Sequence, residues 1–433
     1  MIRKSKTISY LLWLLLLPVF IQAQEAQRIG TLFDSLKTHP QTRSDEINLE
    51  KAITGKNLVY SKLYPSITAF GTYENSSSPN GMVPLAPNEL FSIIKDQTLP
   101  QPFSKNIFRI GAAVSMPVFA LSIYTTAGKA RMMIHSAQAL KHLNLLKNEA
   151  ILVSSNANIQ YLDALSNALQ KKKQSLLKTR EIINIKVKNQ RAPGSALLKI
   201  DDGINEIKLL KNEISIQREQ VISAIRALTG ITLQKAVPMT QKGTYLSGAL
   251  RALDPLKNKL KADQLGFKAE KEKLLPSITF NGNYNHSMAN AYNNNLRINE
   301  DFTTFGLGLH IPIFTKSQYT QIKMSKLDME STENELAKMK LELSSQARQL
   351  QNSLSLINLS LKLYANSVKN KTELLKIARV SYESDQMTIE DYLKYEDDLV
   401  LEKSKLYKAR AQKWQTLMQL AVIYGNNIEN IVK

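Results

Sequence analysis

The chain has 433 residues, no cysteine and a formal net charge of +20, a length that suits two or three ordinary domains or one elongated one. The missing thiol excludes disulfides, thiolate metal sites and a lipid-anchored N-terminal cysteine. A charge of this sign suits nucleic acid or an anionic surface as partner, and the N-terminus argues against nucleic acid. "MIRKSK" is a basic n-region, "YLLWLLLLPVFI" an apolar h-region and "IQA" a small-residue cleavage site. Together they predict a secretory signal peptide over residues 1–23, because the apolar run is too short for a spanning helix.

In chain order, residues 24–62 read as an N-terminal helical segment. "PSITAFGTY" (Pro65–Tyr73) then alternates with a period of two: Ile67, Ala69 and Tyr73 face one way, Ser66, Thr68 and Thr72 the other. A connection over 75–105, punctuated by Pro79, Pro84, Pro87, Pro100 and Pro102, reads as an exposed loop. Its far side, "IGAAVSMPVFA" (Ile110–Ala120), lines Ile110, Ala112, Val114, Met116 and Val118 along one face, so 63–120 is predicted as a β-hairpin. Between Pro117 and Pro193 the only glycine is Gly128, and Leu162, Leu169, Leu176 and Ile183 recur every seven residues. A helix from about Ser122 to Gln190 would rise roughly 100 Å. No globular core covers such a rod, which must pack on its return helix and on other chains. "RAPGS" (Arg191–Ser195) reverses it and Gly230 stops the return helix, giving a helical hairpin over 121–230 with its tip near 190–196.

Residues 231–273 read as a linker and a helix, after which the plan repeats. "PSITFNGNY" (Pro276–Tyr284) restates the first strand, an Asn-rich loop covers 285–301, and "FGLGLHIPIFT" (Phe305–Thr315) restates the second. In this copy Phe305, Leu307, Leu309, Ile311 and Ile313 share a face, and 274–315 is the second β-hairpin. From Ile313 to Tyr424 there is neither Pro nor Gly, and Ile322, Met329, Leu336, Leu343, Leu350, Ile357 and Tyr364 form a heptad seam. The turn at "SDQMTIE" (Ser384–Glu390) has no punctuating residue and is placed by correspondence with its twin. The second helical hairpin therefore spans 316–425, with its tip near 384–391, Gly425 as its stop and 426–433 as a tail. The fold class is mainly α with a small β part, internally duplicated.

Strands of about ten residues are long enough to cross a bilayer when tilted. Four strands cannot close a membrane barrel, and an open sheet in lipid leaves edge N–H and C=O groups unpaired. If these strands span a bilayer, identical chains must share one barrel. Eight strands fill their interior with side chains, whereas twelve leave room for a lumen. Ile110, Ala112, Val114, Met116, Phe305, Leu307, Leu309 and Ile311 would then face lipid. Tyr73, Tyr284, Phe119 and Phe314 would serve as interface aromatics or as core. A half-buried sheet in a soluble protein remains the rival reading of the strands.

The "LxPSIT" strand start, the "GxxxxxPIF" second strand, the long helix, the hairpin and the closing "L…G", found twice in one order over about Thr31–Ile428, resemble the TolC-like outer membrane efflux proteins. Pro40 and Pro255 ahead of the first strands are similar to that family too. The resemblance implies a homotrimer with a twelve-stranded outer-membrane barrel and a periplasmic α-helical barrel. It implies outer membrane lipid as surroundings, and partnership with a periplasmic adaptor and an inner membrane transporter of RND or ABC type. It places Asp391 at the first acidic aperture position, with Lys394 where a second acid is usual. Tyr382 matches a tip tyrosine whose usual partners are replaced by Met387 and Ala196. The residues suggest another closure. Glu383, Asp385, Glu390, Asp391, Glu396, Asp397 and Asp398 make the second tip acidic, while Lys186, Lys188, Arg191 and Lys199 make the first basic. Asp391, Glu390, Tyr382 and Arg191 are the candidate gate residues.

Catalytic signatures are missing. His135 and His142 share a helix without the further ligands a metal needs, and no P-loop, nucleophile elbow or dinucleotide turn occurs. "QKKKQ" (Gln170–Gln174) reads as a solvated face or an adaptor contact. The chain is expected to be no enzyme, to need no cofactor or metal and to bind no nucleic acid. A secreted coiled-coil scaffold or adhesin, with the strands in a small soluble sheet, is the alternative from another class.

Overall fold

The computed structural model describes residues 28–433 except 87, 89–90, 92–94 and 97; the expected signal peptide falls outside the described residues. The chain divides into two compact units, one of Met1–Arg43, His142–Ala252 and Leu343–Lys433, the other of Ser44–Lys141 and Leu253–Glu342. The described elements are α1 (Ile29–Lys37), α2 (Pro40–Ser61), β1 (Ser66–Gly81), β2 (Phe103–Phe119), α3 (Leu121–Lys188), α4 (Gly194–Thr229), α5 (Asp254–Glu272), β3 (Ser277–Asn290), β4 (Arg297–His310), α6 (Lys316–Glu383) and α7 (Ile389–Tyr424).

In the second unit the strands form an antiparallel four-stranded sheet in the order β1-β2-β3-β4. The two predicted hairpins are thus joined through β2 and β3. Register decides the faces. Ile67, Val114, Gly282 and Phe305 stand in one row, and Ala69, Ala112, Tyr284 and Thr303 in the next of the same face. Ser66, Ser115, Asn281 and Gly306 make a row of the opposite face. Since side chains alternate along a strand, this registration sets an apolar face against a polar one over these rows, whereas the row Gly71–Ile110–His286–Asp301 brings polar groups onto the first face. Gly111 permits the close β2–β3 approach, because a Cβ there would collide with the carbonyl oxygen of Tyr284 and the ring of Phe70.

The strands are longer than the ten residues expected, at 16, 17, 14 and 14 residues. Residues 75–81, 103–105, 285–290 and 297–301, expected in loops, belong to the strands, with an irregularity between Asn75 and Asn80. Their polar side chains pair across the strands, which sequence polarity alone conceals. Arg109 binds Glu74, and the Tyr284 hydroxyl donates to Asp301 Oδ1 at 2.8 Å, an oxygen also 2.8 Å from His286 Nδ1.

Beside the sheet, α5 buries Ala262, Gly266 and Ala269 on one small-residue stripe. The lack of a side chain at Gly266 lets Lys129 of α3 lie directly over it. Pro255 starts α5 where its missing N–H costs no helical hydrogen bond.

In the first unit α1 buries Ile29, Leu32, Phe33 and Leu36, a helical i, i+3, i+4, i+7 stripe. They join Leu152, Val153, Ile225, Leu417 and Met418 in the principal core. Residues 426–433, expected as a tail, are part of that core through Ile428, Ile431 and Val432, and Thr240 and Lys433 exchange backbone hydrogen bonds. The first heptad seam is fully buried: Leu162, Leu169, Leu176 and Ile183 pack on Ile200, Ile204, Ile207 and Ile214 of α4.

The helical hairpins of the two repeats match residue for residue. Both long helices have 68 residues and both return helices 36. Each return helix ends at a left-handed glycine, Gly230 at φ 72° and Gly425 at φ 67°, the conformation that favours glycine.

Candidate functional site

The hairpin tips lie within the first unit and share one turn design. In the first, Gln190 takes φ 58° and Arg191 N–H donates to Lys186 O; in the second, Asp385 takes φ 57° and Gln386 N–H donates to Ser381 O. The unpunctuated "SDQMTIE" therefore does turn, with an aspartate in the left-handed conformation that Asp tolerates better than most residues. Thr388 caps α7, accepting from Asp391 N–H at 3.1 Å.

Ion pairs cross from the basic tip to the acidic one. Lys186 binds Asp385, Lys199 binds Glu390, and Lys172, within "QKKKQ", binds Asp397. The Lys186 and Lys199 ammonium groups hold the Asp385 and Glu390 carboxyls below the usual range.

The expected gate residues divide. Glu390 and Tyr382 meet the opposite hairpin. Asp391 does not: Thr388 donates to its Oδ2 at 2.8 Å and Lys394 to its Oδ1 at 3.1 Å, contacts within the first turn of α7 that lower its pKa. Arg191 is exposed in the first turn and acts on Asp385 only through its charge.

Tyr382 is 7% exposed and stacks on Tyr392, with ring centroids 5.2 Å apart and planes inclined by 17°. The Lys186 ammonium lies 5.5 Å from the Tyr382 ring centroid, within cation–π range. The Tyr382 hydroxyl is buried with no hydrogen-bond partner among the described residues.

Sequence reasoning missed the network behind this stack. Glu396, 5% exposed, accepts from Ser175 of α3 and, at 2.9 Å, from the Tyr392 hydroxyl. Burial raises the Glu396 pKa and pushes the Tyr392 phenol up to about 12. The i, i+4 spacing of Tyr392 and Glu396 was a usable signal; Ser175 gave none.

The expected lipid-facing residues Ile110, Ala112, Val114 and Met116 share the apolar sheet face with Phe305, Leu307 and Leu309. Ile311 lies just beyond the end of β4. Phe305 and Leu307 are more than 70% exposed, so this face is uncovered by its own chain. The expected interface aromatics Tyr73, Tyr284, Phe119 and Phe314 are likewise exposed. Along α6, Leu356, Leu359, Leu363, Leu374, Ile377 and Val380 form a second exposed apolar series. Among the described residues no His, Cys, Asp and Glu group is placed to hold a metal ion, and no helix is long and apolar enough to cross a membrane.

Comparison with known proteins joins these features. The outer membrane efflux protein family model matches residues 252–426, the second repeat. Nearly all of the described chain shares its fold with solved outer membrane channels. It superposes on the CmeC outer membrane channel of Campylobacter jejuni with a TM-score of 0.73 at 14% identity, over 92% of this chain and 85% of that one. CusC gives 0.77 at 13% identity over 93% of each chain. The outer membrane protein VceC of Vibrio cholerae gives 0.75 at 12% identity over 94% of this chain and 97% of its own. No curated protein matches by sequence.

Proposed function

We propose that this protein is the exit duct of a tripartite efflux or secretion system. It lets exported compounds pass passively from the periplasm across the outer membrane. The observation that carries this reading is the four-stranded sheet, with Ile67, Val114, Phe305 and Leu307 on one face, Ser66, Ser115 and Asn281 on the other, and the outer edges of β1 and β4 unpaired among the described residues. A sheet of that kind is stable in lipid only when its edges are paired. Three chains supply twelve strands, turn the polar faces inward to a water-filled lumen and the apolar faces to lipid, and place the helices in the periplasm. The exposed apolar series on α6 suits burial against a second copy. A periplasmic adaptor and an inner membrane transporter of RND or ABC type complete the system and supply its energy.

In this reading the chain does no chemistry. Its moving part is the tip, where Lys186–Asp385, Lys199–Glu390 and the Tyr382–Tyr392 stack hold the two hairpins of one chain together and keep the aperture narrow. The purified protein in a planar lipid bilayer is expected to give discrete conductance steps that grow when these contacts are removed. Protein that stays soluble without detergent and gives no steps refutes the duct.

A further inference from the structure

Above the tip, α3, α6 and α7 enclose a cleft of about 280 Å³, several times the ~30 Å³ share of one water. Three cations on its walls are neutralised nearby: Lys172 by Asp397, Lys376 by Glu373 and Arg379 by Glu383. Lys171 and Lys403, which also line it, make no ion pair among the described residues. The apolar part of the wall, including Leu375, Leu399 and Val400, strengthens any charge interaction inside by displacing water.

A second, independent feature borders the same space. Glu396 lines the cleft, and while its Oε1 is satisfied by Ser175 and Tyr392, its Oε2 is buried with no partner among the described residues. A buried polar atom left unsatisfied in this way is unfavourable and calls for a ligand.

We propose that this cleft binds a small oxyanion of the phosphate class, its charged oxygens on Lys171 and Lys403 and a protonated oxygen on Glu396. The arrangement relieves two strains at once. Lys403 loses proton affinity through its own burial and through the nearby Lys171 charge, and an anion between the two ammonium groups reverses the second effect. Hydrogen phosphate can donate its O–H to the free Glu396 oxygen. Sulfate, which carries no proton near neutral pH, cannot make that donation. The proposal takes up half of the "QKKKQ" run that inter-hairpin pairing leaves unexplained, and it does not depend on the duct reading.

Isothermal titration calorimetry of the full detergent-extracted protein with sodium phosphate at pH 7, at fixed ionic strength, tests it, with sodium sulfate run in parallel. Saturable phosphate binding at one site per chain is expected, with sulfate weaker. Lys403→Gln and Lys171→Gln should each weaken phosphate binding by about tenfold or more, as expected for loss of one charge-assisted hydrogen bond. Lys171 is exposed, so its variant tests the site even if Lys403→Gln misfolds. Lys338→Gln, an exposed change elsewhere on α6, should leave binding intact. Heat that does not saturate, binding unchanged in Lys171→Gln, or equal weakening by Lys338→Gln overturns the site. Sulfate binding as tightly as phosphate overturns the role of Glu396.

Discussion

Removing the Tyr382 hydroxyl should leave the closed tip intact, although the family resemblance matches it to a tip tyrosine that joins a closing network, with Met387 and Ala196 in place of its usual partners. The structure gives the hydroxyl no partner among the described residues and keeps the residue 7% exposed. An unsatisfied buried polar group costs about 1–3 kcal/mol, so Tyr382→Phe is expected to be neutral or stabilising by up to about that amount. The ring itself matters. It contributes a stacked aromatic contact with Tyr392, worth about 0.5–1.5 kcal/mol beyond burial, and a cation–π contact with Lys186. Tyr382→Ala should therefore cost about 3–5 kcal/mol, the range for deleting a buried aromatic, and should widen the aperture. Guanidinium unfolding and single-channel conductance of the two variants separate these outcomes. A phenylalanine variant that is destabilised by more than about 1 kcal/mol, or that conducts like the alanine variant, refutes the reasoning. It would mean that the hydroxyl finds a partner in another chain.

Glu390→Lys should raise conductance, because it turns the pair with Lys199 into a repulsion, and adding Lys199→Glu should restore it; a double variant as open as the single one would show that the pair does not hold the tip. Glu149 is buried, and that burial, with the Glu429 charge, raises its pKa to about 7 from an ordinary 4.5. Because the folded carboxyl keeps its proton longer than the unfolded one, this group's contribution is greatest below about pH 4.5 and is lost as pH rises to about 7. The loss is on the order of 3 kcal/mol. Glu149→Gln should remove that slope from melting temperatures recorded between pH 5 and 8. Gly111→Ala should block the β2–β3 approach and abolish the proposed trimer, read as loss of the high-mass band of unheated protein on a gel, whereas Gly306→Ala, where a Cβ meets open space, should not.

What the sequence disclosed was whatever is written as periodicity. The period-two alternation of Ile110–Met116, the heptads of α3 and α6, and the glycine stops at 230 and 425 all survive in the structure because each reports a local steric or burial requirement. The ends of the strands were hidden, because residues such as Asn285–Asn290 are polar by composition yet are held by ladder bonds to β2 and β4 that no local pattern encodes. The Asp385 turn was legible only through its twin. At the tip, the opposite charge of the two segments was visible, but the particular pairs were not. Asp391 looked equivalent to Glu390, and the first-turn contacts with Thr388 and Lys394 distinguish them. Tyr392, Glu396 and Ser175 converge from helices far apart in sequence, so their network belongs to packing rather than to any motif.

The central claim is that identical chains complete one barrel across the unpartnered edges of β1 and β4. Native mass spectrometry of the detergent-extracted particle tests it most directly. Three chains per particle, twelve strands in all, is the result this account predicts. A monomer, or a dimer whose eight strands would leave no lumen, would contradict it.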